Sequence, residues 1–172
     1  MPLPSLKEQL DALIGTPSVS CTQPHLDQSN RAVIDLLAAW LGDLGFNCDI
    51  QQVSPGKFNL LASFGSGPGG LVLAGHSDTV PYDDALWQTD PLKLTEVDNR
   101  WVGLGCCDMK GLFAMIIEAV RPLLDQPFKQ PLLILATCDE ETSMAGARAL
   151  VEAGKPLGRA AVIGEPTGLK PI

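Results

Sequence analysis

Three short, nearly unbroken apolar runs constrain this chain most: LVLAG at 71–75, LLILAT at 132–137 and AAVIG at 160–164. Five or six apolar residues without polar alternation describe a strand covered on both faces, the pattern of a sheet sandwiched between helices. The intervening sequence supplies those helices. Ser5 and Glu8 form a capping box ahead of Leu6, Leu10, Leu13 and Ile14, which share one helical face before Gly15. Val33, Leu36, Leu37, Trp40, Leu41 and Leu44 keep helical spacing up to Gly45. Phe113, Ile116, Ile117 and Val120 do the same before Pro122, which ends or kinks the helix. A last helix runs through TSMAGARALVEA and stops at Gly154. Extended stretches are expected at 46–53 and 59–64, and a hairpin turn at Asp98-Asn99. The fold class is therefore α/β, a layered sandwich of a mixed, mostly parallel sheet with helices on both faces. All three runs, the third included, are expected to be buried strands.

At 172 residues the chain has the length of one domain that buries its own core. A net charge of −8 argues against nucleic acid as a partner, because phosphate binding needs a basic face. Runs such as LLAAWL are too short to span a bilayer, so no membrane partner is expected. The opening MPLPSLKEQL has no basic stretch followed by an apolar run, so no secretory signal is expected. Five cysteines without CxxC spacing suit a reducing compartment, and a cytoplasmic protein is expected.

Ligands in layered α/β folds gather at the carboxyl ends of the strands. The first apolar run ends in His76-Ser77-Asp78, the second in Asp139-Glu140-Glu141, and the third in Glu165; Asp108 opens a helix. Taken singly, each has an ordinary explanation: a solvated acidic loop for Asp139-Glu140-Glu141, a turn former in Asp78. Together they bring several carboxylates and one imidazole to a single rim. Carboxylates so crowded repel one another unless protons or a cation neutralise them. One imidazole with several carboxylates suits zinc or a related divalent ion, and a carboxylate can bridge two such ions. The adjacent side chains of Glu140 and Glu141 diverge, so one can bind metal while the other serves as a general base. Asp78 beside a ligand His76 is placed to accept the other ring N–H and fix the tautomer. His25 reads as a surface residue, and Cys106, Cys107 and Cys138 as packed free thiols.

The ordered strings GHSDTVP, GLGCCDMKG, ATCDEETSMAGA and IGEPT resemble the zinc-dependent aminoacylase/peptidase family, over essentially the whole chain. The resemblance implies a zinc-peptidase-like fold and a metal-dependent hydrolase of linear amides. It implies His76, Asp108 and Glu165 as ligands of one metal, Asp108 as the bridge, and Glu141 as a ligand of the second. It implies Glu140 as the catalytic base, Asp78 as the residue that orients His76, and a cis peptide after Asp108. Two zinc ions are implied for the complete enzyme, with cobalt as a substitute and one well-formed site in this chain. LDQSN, ETSMAGAR and IGEPTGLKP resemble members that release acetate from N-acetylornithine in arginine biosynthesis. N-succinyl-diaminopimelate and dipeptides are the alternative substrates. Family members continue past this point with a lid and dimerisation domain, then the rest of the catalytic domain. The resemblance thus implies that residues 1–172 are the N-terminal portion of one catalytic domain, inactive alone, from a homodimer. A truncated, non-catalytic metal-binding module is the remaining alternative.

Overall fold

The computed structural model describes residues 3–154, 157–168 and 170. Two helices, α1 (Leu6–Ile14) and α2 (Arg31–Asp43), precede a hairpin of β1 (Asn47–Ser54) and β2 (Lys57–Phe64). The central strand β3 (Leu71–His76) leads through a small hairpin, β4 (Thr95–Val97) and β5 (Arg100–Val102), into α3 (Lys110–Val120). The chain closes with β6 (Leu132–Thr137), α4 (Ala145–Glu152) and β7 (Ala160–Ile163). Local chemistry sets the boundaries. The Ser5–Glu8 capping box is formed at α1, and Pro122 converts the end of α3 into a 3₁₀ turn. Asp98 and Asn99, at φ of 49° and 59°, make the two-residue turn between β4 and β5.

The five-stranded sheet has the order β1-β2-β6-β3-β7. β6, β3 and β7 pair in parallel, whereas β2 runs antiparallel to both of its neighbours. Strand alternation sorts the core into two layers. Leu132, Ile134 and Ala136 join Leu60 and Ala62 on the face covered by α1, α2 and α3. Leu133 and Leu135 join Val72 and Ala74 on the other face, where Leu150 of α4 packs. Helices thus cover both faces. The first layer contains fully buried Leu13, Ile14, Val33, Ile34 and Leu41, each stabilising by roughly 1.5–3 kcal/mol.

β7 departs from the expectation of a third buried strand. Val162 is 56% exposed and Ile163 65%. It is the edge strand, and its extensive contacts are with β3 alone, so its apolar composition does not translate into burial.

No helix among the described residues is long and apolar enough to cross a membrane.

Candidate metal centre

Register brings the acidic strand ends level. His76 pairs with Thr137 across β3 and β6, while Ala74 pairs with Ile163 of β7 and its carbonyl accepts from Gly164 N–H. His76 therefore emerges between the turn after β6 and the segment after β7. Its side chain is buried, only 1% exposed, so its ring has one fixed orientation. The backbone of the following turn is pinned from below. Ser77 Oγ donates to the Thr137 carbonyl at 2.8 Å and accepts from Asn30 Nδ2 at 2.7 Å. Ser18 Oγ donates to the Ser77 carbonyl at 2.8 Å, and Val19 bridges Thr79 in parallel.

His76 Nδ1 lies 2.9 Å from the backbone carbonyl of Asp78. A carbonyl only accepts, so Nδ1 carries the proton and Nε2 is left with its lone pair facing the rim. Opposite that lone pair, at 3.2 Å, is Asp108 Oδ1. Two electron-rich atoms held face to face require a proton or a cation between them. The orienting contact comes from the Asp78 main chain rather than its carboxylate, whose nearer oxygen is 3.6 Å from Nδ1. The carboxylate instead accepts the Glu140 and Glu141 amide N–H groups, both at 3.2 Å. Asp78 thus joins the two halves of the cluster, with its carbonyl on the imidazole and its carboxylate on the acidic turn.

Candidate ligand atoms fall into two groups, each within 4.8 Å and sharing His76: His76 with Asp108 and Glu165, and His76 with Glu140 and Glu141. Glu140 Oε2 is 3.9 Å from His76 Nε2, and a Glu141 carboxylate oxygen lies within 4.8 Å of the imidazole ligand atom. Asp108 sits ahead of α3, and the Asp108–Met109 peptide is cis. His25 is exposed and belongs to neither group. The five cysteines are free thiols and none joins the cluster.

Electrostatics follow from this crowding. Burial disfavours the His76 cation, but Asp78, Glu140 and Glu141 outweigh it and raise the pKa. Burial raises the Glu141 and Glu165 carboxyls, and Asp108 and Glu140 push both the same way, against His76. An imidazole lone pair converging with carboxylates that resist sharing a site is the donor chemistry of a divalent cation site.

Several polar residues behind the cluster are given no role by the sequence, although Asn30 and Ser77 lie within LDQSN and GHSDTVP. Asn30, Lys57, Asn59 and Ser77 are all 5% exposed or less. Beyond that, their one sequence signal is a polar residue at an inward position, as in KFNLLA, where Lys57, Asn59 and Leu61 share a face of β2.

Known proteins match this arrangement in both sequence and fold. Acetylornithine deacetylase of Klebsiella pneumoniae (strain 342) is 56% identical over 172 residues, covering 99% of this chain and 45% of that protein. The enzyme of the same name from Salmonella arizonae is 57% identical over 173 residues, again covering 99% of this chain and 45% of its own length. The chain therefore spans a little under half the length of these curated relatives. Human carnosine dipeptidase 1 superposes with a TM-score of 0.66 at 26% identity, covering 92% of this chain and 37% of that one. An M20 family metallo-carboxypeptidase, Sso-CP2 from Sulfolobus solfataricus, shares the fold at a TM-score of 0.77 and 19% identity, over 94% and 37% of the two chains. Residues 72–172, which hold every side chain of the cluster, match peptidase family M20/M25/M40 over more than half of the sequence, and the chain belongs to that family.

Proposed function

We propose that the chain is the N-terminal portion of the catalytic domain of a metal-dependent amide hydrolase that converts N-acetylornithine to ornithine and acetate. The observation that carries the hydrolytic reading is the His76 lone pair directed at Asp108, with Glu165 and the Glu140–Glu141 turn closing the same space. The substrate rests on the names of relatives more than half identical to this chain. The metal is zinc, with cobalt a working substitute. The complete protein is a cytoplasmic homodimer of arginine biosynthesis, and its lid and remaining catalytic strands are supplied outside these 172 residues.

His76, Asp108 and Glu165 would hold one ion, and Asp108 with Glu141 part of a second. When bound, the metal polarises the amide carbonyl and makes an attacking water more acidic. Glu140 is the general base: its side chain is 34% exposed and its carboxylate lies 3.9 Å from the imidazole, within reach of both water and the cluster. It takes the proton of the attacking water and returns it to the departing amine nitrogen. Asp78 keeps His76 in one tautomer through its carbonyl and holds both glutamates through their amides.

Cobalt titration and an N-acetylornithine assay test the proposal together. Wild type binds one Co²⁺ per chain tightly; His76→Ala does not. Glu140→Ala retains the metal and lowers ornithine release, measured with the remainder of the Klebsiella relative supplied in trans, by about 10²–10⁴-fold. Metal lost in Glu140→Ala exchanges the roles of Glu140 and Glu141. Stoichiometric, tight metal in His76→Ala refutes the centre.

A further inference from the structure

Beneath the Glu140–Glu141 turn lies a charged group that the chemistry above does not use. Lys57 opens β2 and is only 5% exposed. Its Nζ donates to Asp27 Oδ1 at 2.6 Å and to the Gln28 carbonyl at 2.9 Å, and it pairs with Asp139 Oδ1 at 3.0 Å. Ser20 Oγ lies 3.4 Å from the same nitrogen, so four oxygens surround an ammonium that has three protons to give. A buried ammonium is tolerated only when paired in this way, and removing it leaves two carboxylates facing each other.

Asp139 is the residue from which the acidic turn starts. Its φ of 59° is left-handed, uncommon for a residue with a side chain and maintained only where the surroundings hold it. Those surroundings are visible. The Asp139 carboxylate is paired with the Lys57 ammonium and accepts from Ser20 Oγ at 2.8 Å and from Ser143 Oγ at 3.3 Å. Its carbonyl accepts from Met144 N–H at 2.7 Å, closing the turn. The next two amides are those that Asp78 binds. The turn is gripped by Asp78 on one side and by Lys57, through Asp139, on the other. β2 itself is held by other pairing, since β1 pairs with it from Lys57 to Ser63 and β6 from Leu60 to Phe64.

We propose that Lys57 is a positioning residue of the metal centre: by tying Asp139 to the segment 20–28 it fixes the left-handed turn that aims Glu140 and Glu141 at His76. This rests on reading the cluster as a metal centre, and two measurements on the 172-residue chain keep the two ideas apart. One is amide hydrogen exchange at Glu140 and Glu141, which needs no metal; the other is the Co²⁺ dissociation constant with its visible spectrum. Lys57→Met is expected to speed exchange at both amides and to weaken Co²⁺ binding about 10- to 100-fold, the range seen when residues supporting metal ligands are lost. Lys57→Arg, which restores the charge, is expected to recover most of both. A folded Lys57→Met protein with wild-type exchange and wild-type Co²⁺ affinity overturns the role of Lys57. Should Lys57→Met fail to fold, Asp27→Asn takes its place, because Asp27 grips the same ammonium from the 32%-exposed outer end. Faster exchange at the two amides in Asp27→Asn then supports the proposal, and unchanged exchange overturns it. A wild-type chain that binds no Co²⁺ refutes the metal centre itself, and the positioning role falls with it.

Discussion

Asn59 offers the sharpest test of how the acidic turn is built. It lies on β2 at 1% exposure, with Nδ2 donating to the Gly146 carbonyl at 2.9 Å and Oδ1 accepting from Cys138 N–H at 3.1 Å. One amide thus fastens the end of β6 to the first turn of α4. Asn59→Leu keeps the branching and the number of side-chain heavy atoms and leaves no cavity, so the cost is the lost polar pairing, with any crowding by the larger methyls adding to it. Cys138 N–H loses its partner while buried, at about 1–3 kcal/mol, whereas Gly146 C=O keeps its place in the helix and forfeits only one net bond, about 0.5–1.5 kcal/mol. The expected loss is therefore about 1.5–4.5 kcal/mol, a large share of the roughly 5–15 kcal/mol of a typical domain. Urea unfolding of both proteins, compared at matched slope, measures the difference. Asn59→Asp serves as the companion: it keeps the acceptor for Cys138 but sets an oxygen against the Gly146 carbonyl, so it should also lose stability near neutral pH. An Asn59→Leu chain within 0.5 kcal/mol of wild type, as roughly expected of an unimportant surface change, refutes the reasoning.

Two further outcomes can be checked on the same preparations. Gly111→Ala places a better helix former in α3, worth about 1 kcal/mol, but its Cβ would strike the carbonyl oxygen of Cys106 and lie 3.1 Å from that carbonyl's carbon. Overpacking against backbone costs about 1–3 kcal/mol, so the net effect is a lower Tm, and a higher Tm would contradict it. At α1, hydrogen bonds from the Ser5 hydroxyl and then the Ser5 N–H hold the Glu8 carboxyl below its ordinary pKa. A carboxyl depressed on folding adds stability above its unfolded pKa, and that stability is lost as pH falls through the folded value. Thermal melts from about pH 6 to about pH 3 should therefore fall more steeply for wild type than for Glu8→Gln; parallel slopes would refute the linkage.

What the sequence by itself determined is local or periodic. The capping box, the helical faces, the Asp98-Asn99 turn and the apolar strands each depend on residues within a few positions of one another, and all stand in the structure. The rim of His76, Asp108, Glu140, Glu141 and Glu165 was legible for a related reason, since side chains at the carboxyl ends of neighbouring parallel strands must meet wherever the register is level. Tertiary structure decided the rest. Apolar composition could not show that β7 stands at an edge, because burial depends on what packs against a strand. The division of Asp78, carbonyl to His76 and carboxylate to the acidic turn, depends on the path of the chain after β3. Lys57 meets Asp27 and Asp139 from positions 30 and 82 residues away, because the antiparallel pairing of β2 with β6 carries its first residue to the rim. A buried charge must find its partners wherever the fold places them, and no spacing along the chain records where that is.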